Sequence, residues 1–188
     1  VKVGVLALQG AFAAHARVLR ALEAEPREVR VPDDLGRVDA LVMPGGESTT
    51  MSMLLMTSRL HQPVRERIDA GMPVLGTCAG LILLADSVRD GRADQVGFGV
   101  LDVDVRRNAF GRQIDSFEAD LDVTGFDVPF HGIFIRAPIV ERAGEGVEVL
   151  ATYDGRPVLV RQGALLAAAF HPELSDDDRI HRLFLEGV

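Results

Sequence analysis

The chain has 188 residues, 47% of them apolar, a single cysteine and a formal net charge of −8. That length fits one domain spanning 1–188, with a core large enough to need neither disulfides nor structural metal. The acidic balance argues against nucleic acid as the main partner, the lone cysteine cannot form an internal disulfide and points to a reducing, cytoplasmic compartment, and no apolar run approaches the length of a membrane span.

The N-terminal Val1-Lys2-Val3-Gly4-Val5 reads as a first strand rather than a signal peptide. Residues 2–8 form a continuous apolar run rich in β-branched valines, as expected of a buried parallel strand, and Gln9-Gly10 breaks it. Residues 11–24 read as an amphipathic helix with Phe12, Val18, Leu19 and Leu22 toward the core. A short strand over 28–31 stops at Pro32, and the apolar strand 39–43 stops at Pro44-Gly45-Gly46. A helix is predicted over 48–59 with Ser48 as its N-cap, and another over 63–70 closed by Gly71. The run Pro73-Val74-Leu75 is the next strand, and 81–85 the next helix.

This alternation predicts an α/β fold with a doubly wound, mostly parallel sheet, whose ligands bind beyond the carboxyl ends of the strands. Gln9-Gly10, Gly45-Gly46 and Cys78 all fall at such ends, so three loops should converge on one crevice. The second half changes character. Strands are expected over 97–105, 116–123, 131–135, 147–153, 158–161 and 165–170, with hairpin turns at Gly155-Arg156-Pro157 and Gln162-Gly163. They are expected as antiparallel additions to the parallel sheet, followed by a last helix over 176–185 that starts on Asp176-Asp177-Asp178.

The chemistry centres on Gly76-Thr77-Cys78-Ala79-Gly80. A strand, a sharp glycine-flanked turn and a helix, with a nucleophile at the turn, is the geometry of a nucleophile elbow. The glycines permit the turn, and the helix N-terminus favours a thiolate. Downstream, His171-Pro172-Glu173 follows an apolar run, and residues two apart in extended chain point to one side. Cys78, His171 and Glu173 therefore suggest a cysteine-nucleophile hydrolase or acyl-transfer enzyme, with Glu173 orienting the imidazole. The N–H of Ala79 is a natural oxyanion donor, and Gly46 can supply a second. His15, His61, His131 and His181 lack metal-ligand spacing and read as structural or surface residues.

These residues resemble the class I (triad) glutamine amidotransferase family, whose nucleophile turn is Gly-x-Cys-x-Gly and whose other triad members are His-x-Glu. Several stretches resemble one branch, the glutaminase subunits of pyridoxal 5'-phosphate synthase. They are Leu6-Ala7-Leu8-Gln9-Gly10-Ala11, Met43-Pro44-Gly45-Gly46-Glu47-Ser48-Thr49-Thr50, Arg107-Asn108-Ala109-Phe110-Gly111-Arg112-Gln113, Asp115-Ser116-Phe117-Glu118 and Phe134-Ile135-Arg136-Ala137-Pro138, together with the two catalytic segments. The resemblance covers essentially the whole chain and implies a flavodoxin-like three-layer sandwich.

It also implies roles. Cys78, His171 and Glu173 form the triad, Gly46 and Ala79 the oxyanion hole, and Gly46, Glu47, Ser48, Arg107, Ile135 and Arg136 bind L-glutamine. The reaction is hydrolysis to L-glutamate and ammonia, with no cofactor and no metal. Ammonia passes to a TIM-barrel synthase subunit in a hetero-oligomer, docked near Gln9-Gly10. Ala14, before His15, departs from the acidic residue that relatives often carry there, which bears on helix contacts with a partner. The residues also accommodate another triad hydrolase on the same fold, such as a γ-glutamyl peptidase, or a non-catalytic binding subunit.

Overall fold

A computed structural model of the chain describes residues 1–107 and 116–188. The first half contains β1 (Lys2–Leu6), α1 (Phe12–Ala21), β2 (Glu25–Val29), α2 (Pro32–Leu35), β3 (Ala40–Met43), α3 (Ser48–Thr57), α4 (His61–Asp69), β4 (Val74–Thr77) and α5 (Ala79–Leu84). There follow β5 (Ala85–Arg89), β6 (Leu101–Arg106), β7 (Ser116–Leu121), β8 (Phe130–Ile135) and β9 (Ile139–Ala143). The chain then forms β10 (Glu148–Tyr153), β11 (Arg156–Gln162), β12 (Leu165–Ala168), a 3₁₀ turn (Pro172–Leu174) and α6 (Arg179–Leu185).

Among the described residues the main sheet has the order β10-β11-β12-β4-β3-β1-β2. The five strands from β12 to β2 run parallel. Every residue of β3, β4 and β12 is buried, the mark of strands covered on both faces, which is why their sequences show no polar alternation. The chain passes from β1 outward to β2 and then back to β3 on the other side. The order β2-β1-β3-β4-β12 is that of flavodoxin-like sheets, with the crevice at the switch point beyond β1 and β3. The predicted α/β architecture with a mostly parallel sheet is what forms.

The antiparallel additions are fewer than the sequence suggested. Among the described residues only β11, paired with β12, and β10, paired with β11, extend the main sheet. The predicted strands 97–105, 116–123 and 131–135 do not join it. They become β6, in a separate sheet of order β5-β6-β9, and the hairpin β7-β8. Alternation marks a strand with one wet face but carries no information on its partner. The turn between β10 and β11 sits at Asp154-Gly155, both with positive φ (51° and 72°), as a two-residue hairpin turn requires.

Boundaries moved for local reasons. Helix α1 stops at Ala21, before Glu23 takes a φ of 61°. Helix α3 is capped by Glu47, not Ser48: the carboxylate accepts from the N–H groups of Thr49 (3.1 Å) and Thr50 (2.7 Å). A charged cap also complements the helix dipole, so Glu47 supplies both contributions at once. The last helix starts at Arg179, whose N–H donates to Asp177 Oδ1 at 3.1 Å.

One hydrophobic cluster runs through the sheet from Val3 to Phe184. Its aromatic part fixes the segment that follows β12. Phe170 packs with Phe130 and Phe134 of β8, ring centroids 5.6 Å apart in each case. The N–H of His171 then donates to the carbonyl of Ile133 at 2.8 Å. The hairpin β7-β8, outside the main sheet, thereby helps to hold the Phe170-His171 segment that follows β12.

Candidate active site

Cys78 sits between β4 and α5 with φ 50° and ψ −102°, a conformation that costs a non-glycine residue about 1–3 kcal/mol. The surroundings enforce it. Its N–H donates to Ala168 O at 2.8 Å, and its carbonyl accepts from Ile82 N at 3.2 Å. Helix α5 is drawn so close to β3 that a Cβ on Gly80 would lie 2.1 Å from Met43 O. Only glycine allows that approach, so the glycine after the nucleophile is a packing requirement of the turn. The predicted elbow is present.

Three adjacent parallel strands deliver the site. Gly45-Gly46 follows β3, Cys78 follows β4, and His171 follows β12, all at one end of the sheet. A Cβ on Gly45 would fall 2.4 Å from His171 Cε1, so the imidazole lies directly on that glycine. Nδ1 of His171 is 2.7 Å from Glu173 Oε1, with the carboxylate side chain fully buried. Burial alone would push the His171 imidazole down, but hydrogen bonding and charge from Cys78 and Glu173 outweigh it and raise it to about 10. Burial likewise opposes ionisation of Glu173, yet the His171 hydrogen bond, with the electrostatic attraction of the imidazoles of His15 and His171, holds it below the usual carboxylate range. The structure thus brings the three predicted residues together in the order nucleophile, imidazole, carboxylate. The thiol also lies 3.8 Å from the carbonyl of Ile135.

Behind Glu173 lie residues that sequence reasoning did not connect to the site. His15 of α1 and His181 of α6 are both 0% exposed, and their rings meet at 2.8 Å between Nδ1 and Nε2. His15 Nε2 is 3.1 Å from Thr77 Oγ1 and 3.4 Å from Glu173 Oε2. No spacing rule predicts a contact between residues 166 apart. A usable signal was the presence of two histidines in segments that otherwise pack as core. His61 and His131 lie apart from this group: His61 stacks on Phe98, and His131 sits exposed between Glu118 and Asp120.

Of the remaining predicted positions, Gly46, Glu47, Ser48 and Arg107 lie at the start of α3, whereas Ala79 opens α5 and Ile135 and Arg136 lie at the end of β8. Gly46 is exposed, Ala79 is buried as the first residue of α5, and Ser48 is 2% exposed. Arg107 donates to Glu47 Oε1 at 3.1 Å and to Thr49 Oγ1 at 2.9 Å. Slight burial would raise the Glu47 carboxyl, but the Thr50 hydroxyl and the Thr50 and Thr49 amides bring it down to about 2. Gln95 was not anticipated; its Oε1 accepts from Ser48, Thr49 and Arg107 and ties the three together. A groove of about 680 Å³ opens beside this group, lined in part by Glu47, Met53, Met56 and Arg107. Ile135 and Arg136 are both exposed at the end of β8, Arg136 with φ 45°. Gln9 Oε1 accepts from Glu47 N at 2.9 Å, linking the first loop to the second. The segment Asn108–Gln113 and Asp115 lie outside the described residues. Among the described residues no helix is long and apolar enough to cross a membrane.

Comparison with known proteins agrees with this arrangement. The sequence profile of the SNO glutamine amidotransferase family matches residues 5–188. "Pyridoxal 5'-phosphate synthase subunit PdxT" of Mycobacteroides abscessus is 58% identical over 186 residues, covering 99% of this chain and 96% of that protein. The protein of the same name from Frankia alni is 58% identical over 188 residues, covering 100% of this chain and 94% of that one. A solved structure described as "Crystal structure of glutamine amidotransferase" superimposes with a TM-score of 0.93 at 52% identity, over 98% of this chain and 97% of the other.

Proposed function

The chain belongs to the SNO glutamine amidotransferase family, and we infer that it is the glutaminase subunit of a pyridoxal 5'-phosphate synthase, hydrolysing L-glutamine to L-glutamate and ammonia. The observation that carries the chemistry is the buried 2.7 Å contact of His171 with Glu173, beside a cysteine held in a strained elbow. We read the whole chain as one amidotransferase domain, supported by its continuous core and by the extent of the family match. The single cysteine supports a reducing, cytoplasmic setting.

In the proposed reaction Cys78, as thiolate, attacks the side-chain amide carbon of glutamine. The tetrahedral oxyanion is received by the N–H groups of Gly46 and Ala79. His171 gives its proton to the amide nitrogen, the C–N bond breaks, and ammonia leaves a γ-glutamyl thioester on Cys78. Acylation consumes the thiolate charge, and with it one of the interactions that raise His171. The imidazole can then take a proton from water, which attacks the thioester and releases glutamate and the thiolate. Glu47, Ser48, Arg107, Ile135 and Arg136 are assigned to holding the amino-acid end of glutamine. An α-carboxylate suits guanidinium and N–H donors, and an α-ammonium suits carbonyl and carboxylate acceptors.

A pH dependence follows. His171 keeps its proton up to about pH 10, so the alkaline limb of kcat at saturating glutamine, where ionisation of the free amino acid does not enter, is expected near there. A limb near the ordinary histidine value of about 6.5 would show that Cys78 and Glu173 do not raise His171.

Ammonia near neutral pH is mostly ammonium and is lost to solvent, so its use requires delivery to an acceptor site. We assign that site to a TIM-barrel synthase subunit docked at the Gln9-Gly10 end of the sheet. Support comes from the bond between Gln9 and Glu47 N, which couples that loop to the proposed oxyanion donor Gly46. The test is glutamate release from glutamine with and without a pyridoxal 5'-phosphate synthase subunit. Stimulated release is the expected result; no release in either condition would contradict the assignment. Hydrolysis of γ-glutamyl peptides in preference to glutamine would favour a peptidase instead.

A further inference from the structure

The buried polar chain does not end at the three residues assigned to chemistry. Glu173 uses Oε1 for His171, while its Oε2 is buried with no full hydrogen bond among the described residues. The group facing Oε2 is His15 Nε2, 3.4 Å away, both side chains being completely buried. His15 Nδ1 meets His181 Nε2, and among the described residues His181 Nδ1 is buried without a partner.

Two proton arrangements fit the contact between the two rings. In the first, His15 Nδ1–H donates to His181 Nε2. The His181 proton then sits on Nδ1, where nothing accepts it, and His15 turns a lone pair toward a carboxylate oxygen. A buried unpaired N–H costs about 1–3 kcal/mol, and the facing lone pairs add repulsion. In the second, His181 Nε2–H donates to His15 Nδ1. The orphan at His181 is then only a lone pair, and His15 Nε2–H points between Glu173 Oε2 and Thr77 Oγ1. The second arrangement leaves no buried N–H unpaired in the two rings. Burial keeps both rings neutral, lowering His15 to about 4 and His181 to about 3 against the pull of Glu173, so neither arrangement is overridden by a third, charged one.

We propose that His15, held in its Nε2–H tautomer by His181, is a positioning residue that fixes the Glu173 carboxylate and, through it, the ring of His171. It acts through Glu173 and reaches neither the thiol nor the substrate. The proposal rests on the triad assignment above.

Nitrogen-15 NMR of the histidines in the intact chain tests the tautomers without any substitution. His15 and His181 are expected neutral near pH 7, each protonated on Nε2; a His15 proton on Nδ1 would overturn the proposal. Turnover is then measured in the presence of the synthase subunit. His15→Leu is expected to lower kcat about tenfold with KM unchanged, the scale of an outer hydrogen bond that orients a reacting group. His15→Gln, whose amide can donate from near the Nε2 position, is expected to recover most of the loss. In a Glu173→Gln background, His15→Leu should add no further loss, because the residue it acts through has been altered. An unchanged kcat in His15→Leu, or a full tenfold loss on top of Glu173→Gln, would overturn the proposal. Absence of turnover in the unaltered chain would overturn the triad assignment itself, which the NMR measurement does not depend on.

Discussion

Cys78→Ala is expected to lower glutamine turnover by about four orders of magnitude or more, with the fold and glutamine binding retained. Alanine keeps the backbone at the elbow and only removes the sulfur, so the hydrogen bonds of residue 78 to Ala168 and Ile82 survive. No neighbouring side chain can substitute. Thr77 points away, its hydroxyl 3.1 Å from His15, and the Ser48 side chain is engaged with Gln95. The loss should fall on kcat, measured as glutamate release, while calorimetry with glutamine should still register binding. A variant retaining more than about a hundredth of the activity would contradict covalent catalysis by this residue.

Glu173→Gln is the second large effect, a fall in kcat of about two to four orders of magnitude at nearly constant KM. The substitution is close to isosteric at a site only 1% exposed, so packing changes little. What changes is charge. An amide cannot stabilise the imidazolium, and it can present an N–H to Nδ1 where a carboxylate presents only acceptors. Glu173 is one of the groups that hold His171 at about 10, so its neutralisation should also move the alkaline limb of kcat at saturating glutamine to lower pH. The sign is fixed: removing a negative neighbour disfavours the protonated ring. KM is spared because Glu173 lies behind His171, away from the loops assigned to glutamine. Full activity, or an unmoved limb, would remove Glu173 from the triad.

The sequence exposed the parts of the site that depend on local geometry. Gly76 to Gly80 marks an elbow because glycine is needed where helix α5 presses on Met43. His171 and Glu173 are two apart and were legible together for the same reason. The strand–helix alternation of the first half sufficed for a parallel sheet, since buried strands write continuous apolar runs. Tertiary placement was harder to read. Helix α2 is four residues long, and β9, Ile-Val-Glu-Arg-Ala, is five residues without an apolar–polar alternation to mark it as a strand. β5 follows α5 without a break, so no turn signal separated them. The pairing of β7 with β8 outside the main sheet depends on the stack of Phe117 on Phe134 and on Phe170 below it. The Glu47 cap was missed by one residue because serine is the commoner cap, whereas here a carboxylate reaches both amides and Arg107. His15 and His181 were invisible as a pair, since only the packing of α1 and α6 against the 171–173 segment brings them together.

The central claim is that Cys78 carries the γ-glutamyl group. It is tested most directly by quenching the enzyme in acid during steady turnover of glutamine with the synthase subunit and mapping its peptides by mass spectrometry. The account predicts a peptide containing Cys78 that has gained one γ-glutamyl group, accumulating further in a variant slowed at thioester hydrolysis. Glutamate release with Cys78 unmodified, or with the group on another residue, would contradict it.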